Sequence, residues 1–194
     1  DAGDMPQEDG TLGPFEPHPD GYNSAEELVH GLKEVADFEI SVSAYPEMHP
    51  DAQDQQTEID YLKRKIDAGA SRAITQFFFD PDIYFRYLER VRKAGIDIPI
   101  VPGVMLQPNF KGLKRMAHMC GAHIPDRIHA VYEGLEEDAR TRELVTAHLA
   151  AEMCEALHQG NADAFHFYTL NRAGLALSTC ALLGVKCHQD IKAA

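Results

Sequence analysis

Four stretches of this chain carry side chains that could hold a ligand. They are Tyr45-Pro46-Glu47-Met48-His49-Pro50; Gln76, an amide among apolar neighbours; Pro102-Gly103-Val104; and Tyr168 with Asn171 and Arg172. Together they offer aromatics, one imidazole, one amide and one cation, but few carboxylates. Such a set suits a planar ligand better than metal-assisted hydrolysis. Each stretch also has a plainer use. Tyr45-Pro46 can end a strand, His49 can cap a helix, and Gln76 can satisfy a neighbouring backbone group. Phe77-Phe78-Phe79 reads as packing, and Arg64-Lys65 as a solvated helix face. Two clusters invite a metal, His118-x-Cys120-x-x-His123 and Cys180 with Cys187-His188, but neither has paired metal-ligand spacing. Spacing alone names no reaction.

The elements that must position these groups follow from hydrophobic period and punctuation. Residues 1–20 hold Gly, Pro and acids without an apolar period and are expected to form a mobile loop. Ser24 then caps a helix striped by Leu28, Val29, Leu32 and Val35. From Phe38 the period becomes two, predicting a strand over 38–44. A helix follows over 54–68 and stops at Gly69, and a strand over 73–79 comes next. Asp80-Pro81 starts a helix that ends at Gly95. A short strand over 98–101 is closed by Pro102-Gly103. Helices are expected at 110–119, 125–134 and 138–158, then a strand at 164–170, a helix at 171–183 and a tail at 186–194.

Strands alternating with helices imply parallel, right-handed βα units, in either an open doubly wound sheet or a barrel. No G-x-G-x-x-G follows a strand, which favours the (β/α)8 TIM barrel. Such a barrel usually takes about 250 residues. Four strands in 194 residues, beginning at Asp1, are therefore expected to be its C-terminal half, within a single catalytic domain over 21–185. The net charge of −13 argues against nucleic acid as a partner. No apolar run approaches the roughly 20 residues of a membrane span. Four cysteines without framework spacing read as reduced cytoplasmic thiols.

Taken in order, several segments resemble those of methylenetetrahydrofolate reductases. They are Ala44-Tyr45-Pro46-Glu47-x-His49-Pro50, Leu62-Lys63-Arg64-Lys65-x-x-Ala68-Gly69-Ala70, Ala73 to Phe79, Ile100-Val101-Pro102-Gly103, and His166 to Arg172. The resemblance implies FAD bound non-covalently at the C-terminal face of a β/α barrel. It also implies hydride transfer from NADH or NADPH to 5,10-methylenetetrahydrofolate, giving 5-methyltetrahydrofolate in a ping-pong arrangement for methionine synthesis. A cytoplasmic homo-oligomer with a small-molecule folate substrate is expected.

By position, the resemblance places Ala25, Tyr45, His49 and Glu58 on the flavin, and Arg64 and Lys65 on its phosphates. Gln76 would meet the pterin, and Tyr168 and Arg172 the rest of the folate, with Arg172 suited to a glutamate carboxylate. Asp1, or Asp4 in its stead, would tune the flavin and stabilise an iminium form of the folate. Tyr61 stands where a small polar flavin contact is common. Gly112 and Met116 stand where Gln and Phe occur near folate and nicotinamide. The general-acid Glu of the family is expected upstream of Asp1. Two other readings stay open, a non-catalytic half-barrel and another enzyme of the same fold. The second would need a Schiff-base lysine or a glycine-rich phosphate loop at the last strands.

Overall fold

The computed structural model describes residues 17–50 and 52–185. Asp1, Asp4, most of the expected N-terminal loop, the tail and Cys187-His188 lie outside the described residues. The helices α1 (Ala25–Val35), α2 (Gln55–Asp67) and α3 (Pro81–Lys93) alternate with the strands β1 (Ser41–Ala44), β2 (Arg72–Phe77) and β3 (Ile100–Met105). Then come α4 (Phe110–Met119), α5 (Asp126–Tyr132), α6 (Ala139–Gln159), β4 (His166–Tyr168) and α7 (Ala173–Leu182). The four strands form one sheet in sequence order, and every pairing is parallel. The α/β class expected from the alternating pattern is therefore observed.

Helix starts follow the caps in the sequence. Ser24 Oγ accepts from Glu27 N at 3.1 Å, while Glu27 reaches back to Asn23 N at 2.8 Å. Asp54 accepts from Thr57 N, and Asp80 from Asp82 N with Pro81 behind it. Each cap satisfies a backbone donor that the first helical turn leaves free. Gly95 ends α3 with φ +77, a conformation that costs glycine little.

The main core lies between sheet and helices, with Val42, Ile59, Leu62, Val91, Val104 and Leu157 buried in it. Burial of each contributes about 2 kcal/mol. A smaller cluster of Phe77, Met105, Leu113 and Ala117 includes the last residues of β2 and β3. Among the described residues no helix is long and apolar enough to cross a membrane.

Strand ends differ from the sequence expectation, each for a local reason. β1 starts at Ser41, not Phe38, because the chain turns after α1. Phe38 N bonds Ala36 O, Lys33 Nζ bonds Phe38 O, and the Phe38 ring stays exposed. β4 is only three residues long, and α7 begins at Ala173 rather than Asn171. Leu170 and Asn171 both have positive φ, 48° and 63°, which neither strand nor helix accepts.

Pro102-Gly103 does not close β3 but lies inside it. The register between β2 and β3 shifts between Ile74 and Phe77, and there the Thr75 hydroxyl accepts from Gly103 N at 2.9 Å. The interrupted ladder tolerates a proline that has no N–H to give. Gly103 also leaves room for the Tyr168 ring. A Cβ there would press on the Thr75 carbonyl oxygen and lie 2.6 Å from Tyr168 Cε2. Gly103→Ala is expected to cost about 2 kcal/mol of unfolding free energy in a denaturant titration, because the contacted backbone oxygen cannot move aside. Wild-type stability in that variant would remove the close-packing account.

Candidate functional site

In a parallel α/β sheet, loops that bind ligands gather where the strands end. The loop after β1 is built as a rigid turn. Met48 N bonds Tyr45 O at 3.2 Å, and Met48 takes φ 78°. Arg90 Nη2 on α3 donates to Pro46 O at 3.3 Å, and His49 N donates to Glu58 Oε2 on α2 at 3.4 Å. His123 N donates to Glu47 Oε1 at 3.0 Å from the α4–α5 connection. Held this way, the Tyr45 and His49 rings meet edge to face, 4.7 Å between centroids. The strain at Met48 is recouped by these distant contacts, a pattern that concentrates at functional sites.

α2 forms the adjoining wall. Tyr45, His49, Ala52, Thr57, Glu58, Tyr61 and Arg64 line one cavity of about 290 Å3. Arg64 pairs with Glu26 at 3.1 Å, and Glu26 follows the half-buried Ala25 at the start of α1. Arg64 and Lys65, adjacent in sequence, do not share a solvated face. Arg64 is exposed, whereas Lys65 is fully buried and donates from Nζ to Ser43 O at 2.7 Å. The ammonium lies 4.6 Å from the Tyr61 ring centroid and the Arg64 guanidinium 5.1 Å, both cation–π contacts. Burial lowers the Lys65 pKa from 10.5 to about 8, with nearby Glu58 opposing the shift. Glu58 Oε1 is buried without a hydrogen-bond partner, an acceptor facing this polar pocket.

Gln76 stands beside Tyr45. Both line a narrow cleft with Pro46, Glu47, Met48, Phe77, Cys120 and Ala122. Phe77 N donates to Gln76 Oε1 at 3.0 Å, which fixes the amide orientation and leaves Nε2 without a partner among the described residues. Tyr168, the last residue of β4, reaches across β3, donating its phenol to Thr75 O at 2.9 Å and meeting Phe77 edge to face at 6.1 Å. Burial pushes the Tyr45 phenol up to about 12, and Glu58, Cys120 and Tyr168 add to that while a Ser43 hydrogen bond opposes it. Both phenols therefore stay neutral at physiological pH.

Arg172, the N-cap residue of α7, opens elsewhere. It lines a cavity of about 390 Å3 with Arg140, Glu143 and Ser178, which neither Tyr45 nor Gln76 lines. Gly112 N is capped by Asn109, and Met116 packs against the Phe77 cluster. Among the described residues no three of His, Cys, Asp or Glu are grouped as metal ligands. Sequence reasoning missed Cys120 as a cleft residue, and Tyr87 and Arg90 beneath the Tyr45 loop. The Arg90 contact spans 44 residues, so no local pattern announces it.

A family model described as methylenetetrahydrofolate reductase matches residues 2–184. The chain is 49% identical over 177 residues to the 5,10-methylenetetrahydrofolate reductase of Salmonella typhimurium, covering 91% of this chain and 59% of that protein. The enzyme of that name from Escherichia coli gives the same values. Methylenetetrahydrofolate reductase (NADH) 1 of Arabidopsis thaliana is 35% identical, covering 85% of this chain and 30% of its own. The chain thus spans about three fifths of the bacterial relatives it matches. A solved structure of an uncharacterized Clostridium thermocellum protein, described as binding two copies of 5-methyl-5,6,7,8-tetrahydrofolic acid, aligns with a TM-score of 0.55. It is 16% identical and covers 86% of this chain and 61% of that one, a likeness of fold.

Proposed function

Since this chain belongs to the methylenetetrahydrofolate reductase family, we propose that it supplies the flavin- and folate-binding end of an NAD(P)H-dependent reductase. The product would be 5-methyltetrahydrofolate, made from 5,10-methylenetetrahydrofolate. The four parallel strands are read as half of an eight-stranded β/α barrel, in a cytoplasmic homo-oligomer. FAD, when bound, supplies a two-electron carrier that takes hydride from the nicotinamide and passes it to the folate.

The observation that carries this reading is the cavity shared by Tyr45, His49, Glu58, Tyr61 and Arg64, with Gln76 in the adjoining cleft. Aromatic walls, a guanidinium and an unpartnered buried acceptor form a donor set that fits part of a dinucleotide. Tyr45 and His49 would contact the flavin, with Ala25 at the rim, and Arg64 would hold a phosphate. Lys65, covered by Tyr61, would act on that phosphate through its field. Gln76 Nε2 would hydrogen-bond the pterin, Tyr168 would wall the folate site, and Arg172 would hold the tail carboxylate. Asp1 or Asp4 would complete the flavin site from outside the described residues. A fold neighbour described as binding a methylated tetrahydrofolate supports the substrate class.

The test is a flavin titration of the full-length gene product, followed by absorbance near 450 nm (roughly, as for bound flavins). A yellow protein with saturable binding is expected. Arg64→Gln should weaken FAD about tenfold, the worth of one charge-assisted phosphate contact. A folded product that stays colourless with excess FAD would sink the reading.

A further inference from the structure

Tyr87 and Arg90 stand three apart on α3, so the helix presents both on one side, against the 45–50 loop. Tyr87 is 1% exposed, and the Arg90 guanidinium lies over its ring, 5.8 Å from the centroid. With Glu58 of α2, itself 5% exposed, they line one small pocket together with Tyr45, Pro46 and Met48. Burial pushes the Tyr87 phenol well up, and Glu58 adds to that, while Arg90 and the Tyr45 N–H oppose it. An anion, a cation and the loop backbone are therefore all felt at this one hydroxyl.

Such a cluster is costly to bury. Glu58 Oε1 and Arg90 Nε are both enclosed without a hydrogen-bond partner, and no bond of good geometry reaches the Tyr87 hydroxyl. Apolar side chains of similar size would avoid that cost. What the polar groups do here is hold backbone. Glu58 Oε2 accepts from His49 N at 3.4 Å, and Arg90 Nη2 donates to Pro46 O at 3.3 Å, so a helix on each side grips the turn. Between the two grips Met48 takes φ 78°, a conformation that methionine keeps only where its surroundings impose it. The turn so held sets the Tyr45 and His49 rings edge to face at 4.7 Å.

We propose that Arg90, seated on Tyr87, is a positioning residue for the flavin: through the Pro46 carbonyl it sets where the Tyr45 and His49 rings meet the isoalloxazine. Arg90 does not line the cavity that those rings share, so its effect on binding passes through the loop. A charged donor suits the task, because its bond to a carbonyl is stronger than a neutral one and opposes the relaxation of Met48. The inference rests on the flavin reading above and adds α3 to the elements that shape that site.

The test is a double-mutant cycle on FAD affinity, measured by titration of the full-length gene product. Arg90→Met keeps an unbranched stem and removes the guanidinium, and it should weaken FAD about tenfold, the worth of one charge-assisted contact. Tyr45→Ala should cost about tenfold as well. The double variant should lose about twentyfold, well short of the roughly hundredfold to which independent losses multiply. Arg90→Lys should recover most of the loss, staying about threefold below wild type, because an ammonium can reach Pro46 O but lacks the planar fork. Urea curves show which variants fold. Should Arg90→Met fail to fold, Arg90→Lys carries the same cycle, and wild-type affinity in it overturns the inference. Wild-type affinity in a folded Arg90→Met, or losses that multiply in full, overturns the inference while leaving the flavin reading intact. A wild-type protein that binds no FAD overturns the flavin reading and this inference together.

Discussion

In the full-length gene product, if it works as proposed, Gln76→Leu is expected to lower kcat/KM for 5,10-methylenetetrahydrofolate about a hundredfold while flavin reduction by NAD(P)H stays near wild type. A hundredfold corresponds to about 2.7 kcal/mol, the scale of one lost orienting hydrogen bond in a water-poor site. The geometry gives the Gln76 amide two duties. Phe77 N holds Gln76 Oε1, so Nε2 points its donors away from that contact. Leucine keeps the volume but removes both the Nε2 donor and the Oε1 that accepts from Phe77 N. Gln76→Glu separates the two duties, since a carboxylate still accepts from Phe77 N but donates nothing. It should be as slow as Gln76→Leu at neutral pH. Stopped-flow measurement of the two half-reactions checks both variants. Equal slowing of the halves would show that Gln76 shapes the cleft in general and does not hold the folate.

The sequence made the order of elements readable because helix caps and glycine stops are local chemistry. Ser24, Asp54 and Asp80 each cap the helix their position implies. Where the fold departs, a distant contact decides. Pro102-Gly103 reads as a terminator in isolation, but Thr75, 28 residues earlier, supplies the hydroxyl that keeps Gly103 in the strand. Arg64-Lys65 reads as one face, yet the turn of α2 sends the second side chain inward to Ser43 O.

The candidate site divides in the same way. Tyr45, His49, Glu58 and Arg64 converge on one cavity, and Gln76 on its neighbour, so α2 contributes to the site along with the strand ends. Arg172 opens on a separate cavity. On the proposed folate reading one ligand would touch both places, the pterin at one and the glutamate carboxylates at the other. The positive φ at Leu170 and Asn171, between Tyr168 and Arg172, redirects the chain from one to the other. No pattern in the sequence signals a left-handed leucine.

Lys65→Met is expected to change how stability depends on pH, with the largest effect in the alkaline range. In the folded chain the Lys65 pKa is lowered from 10.5 to about 8. Below about pH 8 the ammonium is charged in both states, and the fold bears the full cost of burying it. Between 8 and 10.5 the folded state loses its proton first, so that cost fades as pH rises. A fall from 10.5 to about 8 corresponds to about 3 kcal/mol. Methionine has no proton to lose, so the wild-type stability minus that of Lys65→Met should rise by about 3 kcal/mol across this window. Raised phenol and thiol pKa values at Tyr45, Tyr87 and Cys154 pull stability the other way as pH rises. They are common to both proteins and cancel in the difference. Urea titrations of the flavin-free protein at pH 7.5 and 10.5 suffice. Parallel behaviour of the two proteins would mean that Lys65 keeps an ordinary pKa, and that Glu58 and the Tyr61 ring compensate its burial completely. In that case the field through which Lys65 is proposed to act on a phosphate would be neutralised within the protein.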